Sequence, residues 1–287
     1  MAGWTPVSPA NRFWVGHGLV DRAEAVVSVL DHGLTVGDGV FETLLVRDGS
    51  PFALTRHLRR LERSCAGLGI VGPDEARVRE AVAAVVDDAG EAASRARLRI
   101  TVTSGPGPLG SERGDAEATL VVTLTPAKAW AATSSLATVP WVRNERSAVA
   151  GLKTTSYAEN AIALAEAHRR GASEAVLADT QGRLCEGTGS NVFVVVDGEL
   201  LTPHLRCGAL AGVTRELVLE WAPAVVPVRE ADLPMSVLTT ADEVFITSST
   251  RDVHPVDRID DRELAVGPVT REVADEFARR AALDVDP

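Results

Sequence analysis

The chain has 287 residues, long for a single domain, and 45% of them are hydrophobic, enough for sizeable cores. Aromatics are only 4%, so packing rests on Ala, Val and Leu. Forty acidic against 29 basic residues give a net charge of −11, which argues against nucleic acid or an anionic membrane as the main partner.

The opening MAGWTPVSPANRFW lacks the basic-then-apolar pattern of a leader, and no apolar run approaches the roughly 20 residues that span a bilayer. Ala25–Leu30 reads as a strand, followed by the turn-rich DHGLTVGDG at 31–39. A second strand is predicted over Val40–Arg47, with Asp48-Gly49 as its hairpin turn. Leu54, Leu58, Leu61, Cys65 and Leu68 are spaced as one face of a helix, and a second helix is predicted between Asp74 and Ala89. Arg97–Ser104 alternates as a strand, with Arg97 and Arg99 on one face and Leu98 on the other. A Gly/Pro-rich loop at 105–115 leads to a strand at Ala118–Leu124. Thr125-Pro126-Ala127 is then read as the start of a linker.

The second half begins near Ala132. Ser156 and Glu159 have capping-box spacing and open a predicted helix, Tyr157–Arg170, which Gly171 ends. Lys153 therefore falls one short turn before a helix. Ala175–Ala178 and Arg183–Glu186 form a predicted hairpin around Thr180-Gln181-Gly182. Asn191–Val196 is a buried strand ended by Asp197-Gly198. Gly212-Val213-Thr214 opens a helix over Arg215–Trp221, and Val244–Thr247 feeds the polar loop SSTRD at 248–252. Strands and helices mix without strict βαβ alternation, so the expected class is α+β. The expected domains are 1–125 and 131–287, with 126–130 as linker.

Cys65, Cys185 and Cys207 are sparse and irregularly spaced, which gives neither a disulfide framework nor a zinc pattern. Free thiols in a reducing cytoplasm and no metal site are expected. His32 reads as a structural histidine in a turn. Cys185 alternates away from Glu186 and reads as buried packing. Asp38 and Glu42 read as turn and dimer-contact residues, and Phe41 and Trp141 as core. AGVT at 211–214 and TSST at 247–250 are rich in small and hydroxyl residues, the composition of an anion cradle at a helix start. Taken alone, Glu186 in CEGTGSN is a turn residue and Lys153 is an ordinary lysine.

Six segments in order change that balance: DHGLTVGDGVFETL (31–44), HLRRLERS (57–64), GLKTTSYAENAIA (151–163), EGTGSNVFVV (186–195), AGVTRE (211–216) and DEVFITSSTRDVHPV (242–256). Together they resemble the class IV aminotransferases, the fold-type IV pyridoxal-phosphate enzymes. That family includes branched-chain and D-amino-acid aminotransferases and aminodeoxychorismate lyases. The resemblance implies a smaller N-terminal and a larger C-terminal α/β domain with pyridoxal 5'-phosphate at their junction. It also implies a homodimer in which the His32–Val40 loop crosses to the partner. Lys153 matches the lysine that bonds the cofactor aldehyde, and Glu186 the carboxylate that pairs with the pyridine nitrogen. Arg60 matches the phosphate-binding arginine. Val213 and Thr214 match the helix start that cradles the phosphate, and Ser249 a hydroxyl from the opposite loop.

The chemistry needs these residue types. A lysine attacks an aldehyde only as the neutral amine, and its reference pKa is near 10.4. Desolvation by Ala148–Leu152 and the positive end of the following helix are the expected means of lowering it. The freed lysine then moves the substrate's α-proton. For the substrate carboxylate the candidates are Arg97, Arg99, Arg113 in the Gly/Pro loop, and Arg251, with Arg143 and Arg146 behind them. The chain departs from the family at Ser104, where D-amino-acid enzymes carry arginine, and near Leu34, where they carry tyrosine. Its one tyrosine, Tyr157, is displaced from the branched-chain position. The expected activity is amino transfer between an amino acid and a 2-oxo acid, D-amino acids ahead of branched-chain L-amino acids. The alternative is an aminodeoxychorismate lyase that releases pyruvate and 4-aminobenzoate.

Overall fold

A computed structural model describes residues 10–287, so most of the opening segment read above as leader-free lies outside the described residues. The chain divides into two compact units. The first comprises residues up to 128 together with 153–156 and 285–287, and the second comprises 129–152 and 157–284.

In the first unit the elements are β1 (Arg12–Val15), β2 (Gly18–Val20), α1 (His32–Thr35), β3 (Gly39–Arg47), β4 (Ser50–Pro51), α2 (Leu54–Leu68), α3 (Glu75–Ala89), β5 (Arg95–Thr103) and β6 (Thr119–Pro126). They build an antiparallel sheet of order β2-β1-β6-β5-β3-β4. The β3–β4 hairpin turns at Asp48 and Gly49, whose φ values of 47° and 76° suit a two-residue turn. β3 and β5 pair along their full length, with Phe41 opposite Thr101 and Thr43 opposite Arg99. Period-2 alternation then puts Leu44, Leu98, Ile100 and Val102 on the other face. There they join Leu58 and Leu61 of α2 and Val78, Val82 and Val85 of α3 in one core. Asp74 caps α3 by accepting from the Arg77 amide at 2.7 Å.

The second unit runs β7 (Ser134–Arg143), α4 (Ala158–Arg169), β8 (Glu174–Asp179), β9 (Leu184–Gly187), β10 (Asn191–Val196), β11 (Glu199–Pro203), α5 (Val213–Trp221), β12 (Val228–Ala231), α6 (Val237–Thr240), β13 (Glu243–Ser248), β14 (Asp252–Ile259), β15 (Arg262–Glu263) and α7 (Pro268–Leu283). Its sheet has the order β12-β11-β10-β13-β14-β7-β8-β9, with β15 paired to β14. β7 is parallel to both β8 and β14, and β11 to β12, so the sheet is mixed. β10 and β13 are buried on both faces, which is why they read as continuous apolar runs. The class is α+β, as expected.

Several expectations need correction. Residues 25–30 form no strand: Val26, Val27, Val29 and Leu30 are exposed and pair with nothing in the sheet. Their β-branched composition mimicked a strand that has no neighbour to bond. β6 continues through Thr125 and Pro126, read as linker, which pair with Arg97 and Ala96. Ser156 does not cap α4. Its hydroxyl donates to the Gly37 carbonyl at 3.0 Å, and α4 begins without a side-chain cap. Trp141, read as core, is exposed. Among the described residues no helix is long and apolar enough to cross a membrane, and no group of three His, Cys, Asp or Glu could hold a metal ion.

Candidate active site

The lysine lies in the first unit. Residues 153–156 run beside the start of β3: the Phe41 amide donates to the Lys153 carbonyl at 2.9 Å, and the Thr155 amide to the Gly39 carbonyl at 2.8 Å. Only glycine permits this approach at 39, where a Cβ would sit 2.9 Å from the Val102 carbonyl oxygen. The Lys153 amide donates to Ser64 Oγ at 3.2 Å. The side chain extends over Phe41, with Nζ 4.3 Å from the ring centroid. The Arg99 guanidinium lies over the same ring at 3.7 Å, and its Nε donates to Thr101 Oγ1 at 3.1 Å. One aromatic ring therefore carries both the amine and a candidate carboxylate-binding cation. The sequence assigned desolvation of the lysine to the run before it, but Ala148, Val149 and Gly151 are exposed. The Phe41 ring is the apolar surface against the amine.

His57, Arg60 and Ser64 lie on one face of α2 at helical spacing. Glu42 of β3, read from sequence as a turn and dimer-contact residue, is instead fully buried and binds two of them. Arg60 donates from Nε at 2.8 Å and from a terminal nitrogen at 2.6 Å, one bond to each carboxylate oxygen. His57 Nδ1 lies 2.6 Å from Glu42 Oε2. Burial raises the Glu42 pKa, and the Arg60 charge with the bonds from Arg60 and His57 more than reverses it, so the carboxyl is held far below its usual range. Burial also pushes the His57 pKa down against the pull of Glu42, which favours the neutral ring. Donation from Nδ1–H to Glu42 fixes its tautomer. Because Glu42 takes Nε and one terminal nitrogen of Arg60, it also sets the direction of the other terminal nitrogen.

The carboxylate lies in the second unit. Glu186 of β9 is buried and accepts from Arg143 Nε at 3.0 Å and from the Leu210 amide at 2.9 Å. Both terminal nitrogens of Arg143 lie 3.3 Å from Asn160 Oδ1. Asn160 Nδ2 in turn donates to the Thr188 carbonyl at 2.6 Å. Arg143 is therefore the partner of Glu186, a position its spacing from Lys153 did not suggest. Cys185 is buried and its thiol donates to the Cys207 carbonyl, as packing requires.

Leu210 leads into α5, whose N-cap Gly212 makes no side-chain cap bond. Gly212 presses on Asn191, where a Cβ would meet Oδ1 at 2.0 Å, and Asn191 pairs across the sheet with Thr247. The buried hydroxyls of Thr247 and Ser248 have no protein partner. Val213 and Thr214 are the buried first residues of a nine-residue helix whose leading amides have no intrahelical acceptor. Amides at a helix start with hydroxyls beside them suit a phosphate dianion, and Glu186 of β9, bonded to the segment before α5, suits a pyridinium. These residues fit pyridoxal 5'-phosphate.

Of the other arginines, Arg97 is exposed on β5. Arg113 donates to both Asp38 oxygens at 2.6 and 2.7 Å and to the Leu68 and Gly69 carbonyls, so it is tied to the end of α2. Arg251 bonds Glu174 at 2.7 Å and lies over Trp130 at 4.1 Å. Glu174 also accepts from Thr188 Oγ1 and the Gly189 amide. His32 is buried, its Nε2 2.8 Å from the Pro108 carbonyl.

Comparison with known proteins agrees with this chemistry. Residues 39–259 match the family described as amino-transferase class IV. A Methanocaldococcus jannaschii protein, provisionally named a branched-chain-amino-acid aminotransferase, is 33% identical over 276 residues, covering 93% of this chain and 95% of its own. A D-alanine aminotransferase of Bacillus licheniformis is 31% identical over 273 residues, covering 89% and 92%. The crystal structure of 4-amino-4-deoxychorismate lyase from Pseudomonas aeruginosa superposes with a TM-score of 0.80 at 33% identity, covering 96% of this chain and 100% of its own. The chain belongs to the class IV aminotransferases. It is a fold-type IV enzyme that works with pyridoxal 5'-phosphate.

Proposed function

We propose that the chain moves an amino group between an amino acid and a 2-oxo acid, with D-amino acids as the preferred donors. The observation that carries this reading is the shared Phe41 ring: Lys153 Nζ and the Arg99 guanidinium lie over it at 4.3 and 3.7 Å. A cation over the same ring as the reacting amine suits a substrate bearing a carboxylate next to its amino group. The D-alanine aminotransferase relative supports the D side of the choice.

When bound, the cofactor supplies an aldehyde that takes up the amino group and a ring that accepts electrons from the substrate's Cα. The protein's residues do the rest. Lys153 would bond the aldehyde, and its free amine would remove and return the α-proton. Glu186, held by Arg143 and the Leu210 amide, would keep the proton on the ring nitrogen. The resemblance assigns the phosphate to Arg60 and to Val213, Thr214 and Ser249, which would hold it, and Arg99 would orient the substrate carboxylate.

The reading is tested by a half-reaction. Purified enzyme is mixed separately with D-alanine, D-glutamate, L-leucine and (R)-1-phenylethylamine, and the visible absorbance of the cofactor is followed. Rapid bleaching by a D-amino acid, reversed by a 2-oxo acid, is expected. Bleaching by L-leucine alone would refute the preference for D donors. An unchanged spectrum with every donor, and 4-aminobenzoate released from aminodeoxychorismate, would replace the transaminase reading with the lyase.

A further inference from the structure

Helix α2 carries Arg60 and Ser64 to the cofactor and its lysine, yet it starts without the usual means. Ala53 at its N-cap has φ 55° and no side chain able to accept a bond, and the first turn holds no acidic residue. The leading amides of an α-helix have no intrahelical acceptor, and an uncapped start frays. Residues 285–287 supply what is missing. Asp286 Oδ1 accepts from the Thr55 amide at 2.8 Å, and Oδ2 from the Thr55 hydroxyl at 2.6 Å. The Val285 carbonyl accepts from the Ala53 amide at 2.7 Å, and the Pro287 carbonyl oxygen from Arg56 Nε at 2.8 Å. Arg79 donates to Thr55 Oγ1 at 2.9 Å, which leaves the hydroxyl proton for Asp286. A carboxylate here also meets the positive end of the helix dipole. Thr55 precedes Arg60 by five residues, about 7.5 Å of helical rise.

We propose that Asp286 is a positioning residue for the cofactor site: it caps α2 from 231 residues away in sequence and so sets the pose of Arg60 and Ser64. The inference rests on Arg60 binding the cofactor phosphate. A merely structural role would lower the melting temperature alone. A positioning role changes the affinity for the cofactor, and an amide in place of the carboxylate restores most of it.

The experiment strips the full chain of cofactor and titrates pyridoxal 5'-phosphate back into wild type, Asp286→Ala, Asp286→Asn and Thr55→Val. Hydrogen exchange in residues 54–60 is read before any cofactor is added. Loss of the cap is expected to weaken binding about fivefold in Asp286→Ala and to speed exchange at the start of α2. Asp286→Asn, which keeps an acceptor for the Thr55 amide, stays within about twofold of wild type. Thr55→Val, with residue 286 untouched, shifts affinity in the same direction as Asp286→Ala. Wild-type affinity in Asp286→Ala, whatever its melting temperature, overturns the role of Asp286 alone. A wild-type chain that takes up no cofactor overturns the reading of the site beneath it.

Discussion

Glu42 in the first unit and Glu186 in the second are both buried acids bound by an arginine, but their settings differ. Glu42 is enclosed by side chains, with Arg60 and His57 filling both of its oxygens. Glu186 meets one arginine nitrogen and one backbone amide, on a loop that leads to a helix start. The first arrangement is closed and bears on stability: it keeps a cation fixed inside a core. The second suits an outside partner because a backbone amide of the segment before a helix start is one of its donors. Substitutions near Glu42 should therefore appear in folding, and those near Glu186 in turnover.

The largest effect belongs to the lysine. Lys153→Ala is expected to lower turnover about ten-thousandfold, the upper end for loss of a positioned acid–base group. Its melting temperature should stay near that of wild type. Steady-state assays at saturating donor check this, and turnover within tenfold of wild type would remove Lys153 from the chemistry. Next is Glu42→Gln, which leaves the Arg60 charge buried without its counter-ion. Breaking a buried pair from one side costs about 3 kcal/mol or more. Denaturant unfolding of the cofactor-free protein measures it, and a loss under about 1 kcal/mol would show that the triad is not a closed unit.

Arg143→Gln sharpens the other half of the comparison. It removes a charged hydrogen bond from Glu186, a bond type that contributes about 2 kcal/mol, so kcat/KM should fall about thirtyfold. The unfolding midpoint should move far less than in Glu42→Gln. If stability fell as much and activity did not, Glu186 would be a structural acid like Glu42.

What the sequence made legible follows from what carries a local signal. α2, α3, β3 and β10 sit where periodicity and Gly or Asp punctuation placed them, because spacing within a segment reports which face is buried. Residues 25–30 misled because β-branched composition says nothing about whether a neighbouring strand exists. Ser156 misled for a similar reason: its capping spacing is local, but a carbonyl over a hundred residues away took its hydroxyl. Lys153, Arg60, Glu186, Val213 and Thr214 stood out through ordered motifs, and their roles at the cofactor belong to the proposed function. The roles of Glu42 and Arg143 were not legible, since each depends on a partner 18 or 43 residues distant that only the folded chain brings into bonding range. His57 and Ser64 share the helical face of Arg60, and that spacing was the available signal.

The smallest predicted effect concerns pH and separates His57 from Glu42 within the same cluster. The His57 pKa is lowered in the folded protein, so the unfolded chain binds a proton first as pH falls. Stability from this group is therefore complete above the unfolded value of about 6.5 and is lost as pH drops from there toward the folded value. Glu42 has the same sign in a lower window, because its lowered pKa stabilises the fold above about 4.3 and that contribution fades below it. His254, also lowered by burial, adds to the upper window. His57→Gln should keep a donor for Glu42 and remove the titration, flattening the stability curve as pH falls below about 6.5. The fall below about pH 4.3 should persist. Unfolding free energies of the two proteins across that range decide it. A variant as steep as wild type as pH falls below about 6.5 would assign the upper window to His254 and leave His57 charged beside Glu42.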